Sequence, residues 1–226
     1  MRAPGLALLV VLGLAAATLV AAWPGAEREQ RRPGSPAAIP GDDTLHAGEP
    51  PIRWRRSRAV GGPAGGRLAG GVRLPAAGWH FKTWDPVQHR SPNRPWRRWG
   101  TDRLVRLVLR IAREHRAAHP GAPRLLIGDL SRAGGGEFGV RFGRPGHLSH
   151  QNGLDVDVYY PRRDGEERAP SGAADIDRRL SQDLVSRFVR AGAQAAFVGP
   201  HTDLGGPRRI VRPLRKHDDH VHVRIR

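Results

Sequence analysis

Cysteine is absent from this chain of 226 residues, and acidic side chains are scarce. Without cysteine no disulfide can form, and any metal site has to be built from histidine and carboxylate ligands. Only 21 acidic residues stand against 38 basic ones, which are all arginine except Lys82 and Lys216, so the formal net charge is +17. Such a charge attracts nucleic acid, anionic membranes and acidic cell-wall polymers alike, and it does not choose among them.

The N-terminal segment indicates export. An apolar run over residues 5–22 follows Met1-Arg2 and ends in small residues, as in a signal sequence. The run is also long enough for an uncleaved membrane anchor of about 18 to 20 residues, so both interpretations stay open for residues 1–23. In either case we expect the rest of the chain to be periplasmic or associated with the cell wall, which disfavours a specific nucleic-acid partner.

Residues 24–78 are rich in proline, glycine and arginine and have no sustained apolar period. This composition predicts a flexible basic linker, which would contact anionic cell-wall polymers or a membrane surface electrostatically. The length of the chain suits one folded domain, and we expect it to span residues 79–226. The sequence carries no signal for an oligomeric state.

Hydrophobic spacing within residues 79–226 predicts two helices and several short strands. The first helix begins at a cap on Thr101 or Asp102, and the second runs from about Asp177 to Arg190. Strands are predicted at residues 124–128, 154–160, 195–198, 209–212 and 220–226. The expected fold class is α+β, with a small, mainly antiparallel sheet and a few flanking helices.

Two short segments carry the residues of a metal site. In the last strand, alternation places His220 and His222 on one face, and Gly153 lets the chain turn between His150 and the strand that carries Asp157. His150, Asp157 and His222 would supply two imidazoles and one carboxylate, which leaves the fourth position of a catalytic Zn²⁺ open for water. The pattern therefore predicts a zinc hydrolase that needs no nucleophilic side chain.

The neighbouring polar residues suggest supporting roles. His220 and His217 are the candidates for the proton acceptor and for stabilising charge on the carbonyl oxygen. Asp155, Asp218 and Asp219 are the candidates for fixing imidazole tautomers. Of these, Asp155 is expected only to hydrogen-bond backbone, because it is one of two aspartates on the same strand face. No Gly-Lys-Ser or Gly-Lys-Thr follows the glycine run 134–136, so that run is interpreted as a flexible loop at the rim of the cleft. The other histidines are predicted to be surface residues, namely His80, His89, His115, His119 and His201.

Segments 149–157 (SHQNGLDVD) and 217–224 (HDDHVHVR), together with Gly128-Asp129-Leu130-Ser131, resemble penicillin-insensitive murein endopeptidases. That family is related to lysostaphin-type and D-alanyl-D-alanine metallopeptidases, so the resemblance implies a fold like theirs. It also implies zinc ligands and catalytic histidines at the positions already proposed, with His147 as a further histidine at the rim. The implied substrate is peptidoglycan, cut at the cross-link between D-alanine and meso-diaminopimelate.

Two alternatives stay open. The loop over residues 134–146 departs from the family pattern in length and composition, so D,D- or L,D-carboxypeptidase action on stem peptides is a close alternative to cutting the cross-link. The second alternative follows from the charge of +17. It is a non-catalytic basic protein that retains the fold and binds the cell wall or nucleic acid.

Overall fold

The computed structural model describes residues 50–139 and 146–226, so the predicted signal or anchor at residues 1–23 lies outside the described residues. Within the described ranges, no helix combines the length and the apolar character needed to cross a membrane. The helices are α1 (Asp102–Ala118) and α2 (Arg178–Arg190), with 3-10 turns at Pro95–Arg97 and Ala173–Asp175. The strands are β1 (Arg58–Val60), β2 (Arg67–Ala69), β3 (Val72–Arg73), β4 (Phe81–Thr83), β5 (Trp99–Gly100), β6 (Leu125–Ile127), β7 (Asp155–Tyr159), β8 (Ala195–Val198), β9 (Val211–Pro213) and β10 (His220–Arg224).

Six strands form one open sheet in the order β4-β6-β7-β10-β8-β9. The three central pairings are antiparallel, and the two outer pairings, β4 with β6 and β8 with β9, are parallel. Two further pairs of short strands, β1-β2 and β3-β5, stand apart from this sheet. The predicted α+β class with a mainly antiparallel sheet is confirmed.

The two helices pack on the face of the sheet that carries its valines. Val156 and Val158 in β7, together with Val221 and Val223 in β10, are fully buried in one core cluster with the apolar residues of both helices. The first helix begins at a predicted cap, and the second begins close to its predicted start. The side chain of Thr101 accepts a hydrogen bond from the backbone of α1, as that of Asp177 does for α2, and such a cap stabilises a helix by about 1 kcal/mol. The opposite face of β7 and β10 is thereby left for polar side chains.

Residues 50–78, which the composition predicts as linker, fold onto the domain instead. They include β1, β2 and β3, and three of their apolar side chains are buried in the core, namely Ile52, Val72 and Leu74. Trp54 packs against the same core, and the guanidinium of Arg106 lies 3.9 Å from the centre of its ring. The prediction missed this because single apolar residues, spaced without a period among proline and glycine, each fill a separate site. Residues 50–78 therefore belong to the folded domain.

Candidate active site

The register between β7 and β10 places two predicted ligands opposite each other. His222 is the direct cross-strand partner of Asp157, and side chains at such positions are close enough to touch. His222 Nδ1 lies 3.1 Å from Asp157 Oδ1. His220 shares this face of β10, because it lies two residues before His222. The alternation predicted for both strands is thus realised as one polar surface.

His150 reaches the same point from the loop that precedes β7. Its φ is 66°, and Gly153, three residues later, has a φ of 75°. A Cβ on Gly153 would lie 2.8 Å from the side chain of Leu68, so the turn requires glycine both for its backbone and for space. The imidazole of His150 is fully buried, and its Nδ1 donates to the carbonyl of Leu130. Nε2 is therefore the nitrogen that faces the site.

Three lone-pair atoms converge between these elements. His150 Nε2 lies 3.2 Å from His222 Nδ1 and 3.4 Å from Asp157 Oδ1. The other nitrogen of His222 donates to Asp155 at 2.9 Å, which leaves the lone pair of a neutral ring on Nδ1. Asp157 Oδ1 is buried and accepts no well-formed hydrogen bond from any described residue. Lone pairs that face one another repel unless a cation or a proton lies among them, so this arrangement fits a metal ion.

The charges around this point also favour a cation. Burial raises the pKa of Asp157, but His150 and His220 outweigh it and hold that pKa well below its ordinary value. Burial lowers the pKa of His222, but its hydrogen bond to Asp155 and the nearby carboxylate of Asp157 raise it to about 9. Both carboxylates thus stay ionised and hold a positive charge where the lone pairs meet. A metal ion that binds there takes the place of the proton on His222.

A buried ion pair supports one side of the site, and it was not predicted from the sequence. Asp129 and Arg97 are each 1% exposed, and Arg97 Nε donates to Asp129 Oδ1 at 2.6 Å. Asp129 Oδ2 lies 2.8 Å from His147 Nε2. Burial raises the pKa of Asp129, but its hydrogen bonds with Arg97 and His147 outweigh it and lower that pKa to about 2. Asp129 stands in the motif quoted for the resemblance, whereas nothing in the sequence distinguishes Arg97 from the many other arginines.

Two sets of three residues could hold a metal here, and they share His150 and Asp157. His147 completes one set, with ligand atoms all within 4.8 Å of one another. His222 completes the other and lies nearer, because its Nδ1 is 3.1 Å from Asp157 whereas His147 Nε2 is 3.7 Å from it. His147 Nε2 is also engaged with Asp129. We therefore favour His222 as the third ligand and place His147 in the surrounding hydrogen-bond network.

The predicted catalytic pair lies beside this point. His220 Nδ1 is 2.6 Å from Asp219 Oδ1, and His220 Nε2 is 3.8 Å from Asp157 Oδ1. His217 Nδ1 donates to the carbonyl of Arg215 at 2.9 Å, and its ring centre is 4.7 Å from that of His220. Both rings thus have their Nδ1 engaged by the protein. This leaves Nε2 of each for a substrate.

Two predictions about residues near the cleft differ from the structure. Asp218, expected beside the catalytic histidines, instead pairs with the exposed His201 at 2.8 Å. The glycine run 134–136 is not a loose rim, because Gly135 forms a bridge with Arg67, and a Cβ on Gly135 would lie only 2.2 Å from the carbonyl oxygen of Gln151. Glycine is needed there for a close approach of two backbones.

A groove of about 640 Å³ opens next to the site. Asp157, His147 and His220 belong to its lining, so the groove leads directly to the converging ligands. Its remaining walls combine aromatic and apolar side chains with polar and charged ones. They are formed by Trp84, Pro86, His89, Tyr159, Arg168, Ala169, Pro170, Ser171, Lys216 and Asp219. The groove is of a size that accommodates a short peptide.

The comparisons with known proteins agree with the two motifs. The model of the family described as "Penicillin-insensitive murein endopeptidase" matches residues 59–204, which is more than half of the chain. The chain belongs to this family. The match begins within the segment predicted as linker, includes His150 and Asp157, and ends before His217.

Named relatives lead to the same family. Proteins called "Penicillin-insensitive murein endopeptidase" from Salmonella paratyphi B, Salmonella newport and Salmonella heidelberg are each 29% identical to this chain over 204 residues. Each alignment covers 75% of this chain and 66% of the relative, so the chain spans slightly less than two thirds of their length. The relatives thus carry the same name as the family whose model matches this chain.

A second cluster of histidine and aspartate joins the two helices. His115 of α1 and His119, the residue that follows α1, place ring nitrogens 3.2 and 3.1 Å from Asp183 Oδ2 of α2. These three residues also lie within metal-binding distance of one another. His115 is 1% exposed, so the prediction that it is a surface residue is wrong. It lies four residues after Ile111 on the buried face of α1, and helical spacing accounts for its position.

Proposed function

We propose that this protein is an exported, zinc-dependent endopeptidase that hydrolyses the D-alanyl-meso-diaminopimelate cross-links of peptidoglycan. His150, Asp157 and His222 are the proposed ligands, and His220 and His217 are the proposed catalytic residues. The observation that carries the proposal is the convergence of His150 Nε2, His222 Nδ1 and Asp157 Oδ1, which lie 3.1 to 3.4 Å from one another. Family membership supports the murein substrate and a metal-dependent mechanism.

The donor set is suited to zinc. Two imidazole nitrogens and one carboxylate oxygen are ligands that Zn²⁺ accepts in catalytic sites, with a fourth position open. When bound, the ion supplies an acidified water and polarises the carbonyl of the scissile peptide bond. His150 and His222 are held for this role by their second nitrogens, which donate to the Leu130 carbonyl and to Asp155.

His220 is the proposed proton acceptor. Its Nδ1 lies 2.6 Å from the carboxylate of Asp219, which fixes the ring and stabilises the imidazolium that forms when Nε2 takes a proton. Nε2 faces the site, 3.8 Å from Asp157. From this position His220 accepts a proton from the attacking water and returns it to the amine that leaves.

His217 is proposed to act on the substrate beside His220. Its Nδ1 is committed to the Arg215 carbonyl, a neutral acceptor that stabilises a positive ring less well than a carboxylate does. Burial lowers the pKa of His217 further. Its neutral Nε2 is thus available to hold a polar hydrogen of the peptide or of the water.

The proposal is tested by incubating the purified protein with cross-linked muropeptide dimers, once with zinc and once with a chelator, and analysing the products by mass. We expect zinc-dependent conversion of dimers to monomers, restored after chelation by zinc but not by magnesium. Intact dimers under zinc-replete conditions would contradict the proposal. Loss of only a terminal D-alanine would assign the protein as a carboxypeptidase. Binding to murein sacculi without any cleavage would favour the non-catalytic alternative.

A further inference from the structure

Strained backbone is concentrated around the groove. Among the described residues, four residues other than glycine adopt a positive φ, and three of these belong to the site or its groove. They are the proposed ligand His150, with a φ of 66°, His89, with a φ of 49°, and Lys216, with a φ of 65°. Side-chain-bearing residues avoid this region, and those that adopt it are often at binding sites. Lys216 is thus held in a strained conformation beside the groove.

Lys216 is exposed and lines the groove immediately before His217. Among the described residues no carboxylate lies within ion-pair distance of its ammonium. The other charges of the groove are already engaged. Asp219 is bonded to His220, and Arg168 pairs with Glu166 and Asp164. Lys216 therefore presents an uncompensated positive charge to whatever occupies the groove.

The substrate class proposed above carries a matching group. In a D-alanyl-meso-diaminopimelate cross-link, the carbon that bears the scissile nitrogen also bears a carboxylate. The carbon of this carboxylate is two bonds from the scissile nitrogen. When the scissile carbonyl lies at the converging ligands, the carboxylate is therefore close to the residues around His217 and His220. An ammonium on the groove wall is the complement of that carboxylate.

We infer that Lys216 binds the carboxylate next to the scissile nitrogen and so makes the enzyme selective for a free, non-amidated diaminopimelate. The inference rests on the proposed function for the identity of the substrate. It goes beyond it by naming a residue that selects one chemical form of the cross-link. Lys216 is a specificity-determining residue in this scheme, and the hydrolysis itself is left to His220 and His217.

The test compares two muropeptide dimers that differ only in whether this carboxylate is free or converted to the carboxamide. Lys216→Asn removes the ammonium and keeps a residue that tolerates positive φ, and Lys216→Arg keeps the charge. Arg208→Gln, which removes an exposed charge outside the groove lining, is the matched control. Metal content and circular dichroism of each variant check that the fold is retained.

We expect the wild type to cleave the free dimer with a kcat/KM about tenfold higher than the amidated one, the low end of the range for a hydrogen bond between charged groups. Lys216→Asn should remove this preference by slowing only the free dimer, while Lys216→Arg and Arg208→Gln should keep it. Equal rates of Lys216→Asn and wild type on the free dimer would overturn the inference. An equal loss on both dimers would overturn it too, because Lys216 would then support the loop rather than the carboxylate.

A second measurement separates this inference from the proposed function. The monomer product, with its diaminopimelate carboxylate free or amidated, is titrated into wild type and Lys216→Asn by calorimetry, which requires no turnover. If the protein cleaves neither dimer, the proposed function fails, and the titration alone decides about Lys216. Tighter binding of the free monomer by wild type, lost in Lys216→Asn, supports the inference, and equal binding of both monomers overturns it.

Discussion

Two clusters of this protein contain the same residue types, two histidines and an aspartate, yet their surroundings give them opposite properties. In the sheet cluster, defined by His150, His222 and Asp157, the second nitrogens of both rings are engaged by the protein, so the lone pairs point inward. In the helix cluster, His115, His119 and Asp183, the shared carboxylate oxygen also accepts from Arg187 Nε at 2.6 Å.

The difference lies in what supplies the positive charge. Asp157 has no arginine partner among the described residues, and its buried oxygen faces only imidazoles. Asp183 is paired with Arg187, and Arg190 lies 3.8 Å away. A dication at the helix cluster would therefore meet fixed positive charge. Hydrogen-bond partners and nearby charges, rather than the presence of histidine and aspartate, separate a metal site from a polar helix contact.

The largest effect is expected from removing a ligand of the sheet cluster. His222→Ala should reduce bound zinc from about one ion per chain to nearly none and lower murein cleavage at least about a thousandfold, because the ion supplies the reactive water. His119→Ala, in the helix cluster, should change neither quantity. Metal analysis and a muropeptide assay on the same preparations measure both. Full zinc content in His222→Ala together with its loss in His147→Ala would make His147 the third ligand instead.

A smaller loss is expected from the residue that orients His222. Asp155 is fully buried and accepts from His222 Nε2 at 2.9 Å and from Arg224 Nε at 2.7 Å. Asp155→Asn removes the charge that fixes this ring, and zinc affinity should fall about 10- to 100-fold. Competition with a chromophoric chelator measures the affinity, and Asp164→Asn, at an exposed ion pair, is the control. Unchanged affinity in Asp155→Asn would show that the backbone alone positions His222.

The helix cluster should respond to pH rather than to metal. Burial lowers the pKa of His115 from 6.5 to about 4, despite its contact with Asp183. The unfolded chain therefore binds this proton more readily than the folded one, so the stability that neutral His115 contributes is complete above pH 6.5 and is lost as the pH falls towards 4. Wild type should lose about 2 kcal/mol more than His115→Gln between pH 7 and pH 4.5 in urea unfolding. Equal losses in the two proteins, with His201→Gln as an exposed control, would contradict this assignment.

The features that the sequence predicted are those set by local periodicity. Alternation alone placed His220 and His222 on one face, and helical spacing with a cap at Thr101 or Asp102 located α1. The same helical spacing also puts His115 on the buried face of α1, and interpreting the residue type rather than its position led to the wrong prediction. Local pattern is thus a sound guide to the direction in which a side chain points.

Features that depend on distant partners could not be predicted in this way. Arg97 and Asp129 are 32 residues apart in the chain, and each is buried only because the other neutralises it. Arginine is so abundant here that its sequence position carried no information. The folding of Ile52 and Val72 onto the core depends likewise on cavities that only the assembled sheet and helices create. Long-range pairing and shape complementarity leave little trace in a single sequence.

The smallest effect is expected from Arg187→Ala. This substitution tests most directly the difference between the sheet cluster and the helix cluster. If fixed positive charge is what excludes a metal from the helix cluster, removing Arg187 should free the oxygen of Asp183 and strengthen the binding of a second zinc ion by about tenfold or more. Wild type and Arg178→Ala, which removes an exposed arginine of the same helix, should take up only the first ion. Calorimetric titration of zinc into proteins that already hold the first ion measures the binding of the second ion. His115→Gln combined with Arg187→Ala should abolish this binding. A second ion bound equally by wild type and Arg187→Ala would mean that hydrogen-bond partners and charge do not separate the two clusters, and that both are metal sites.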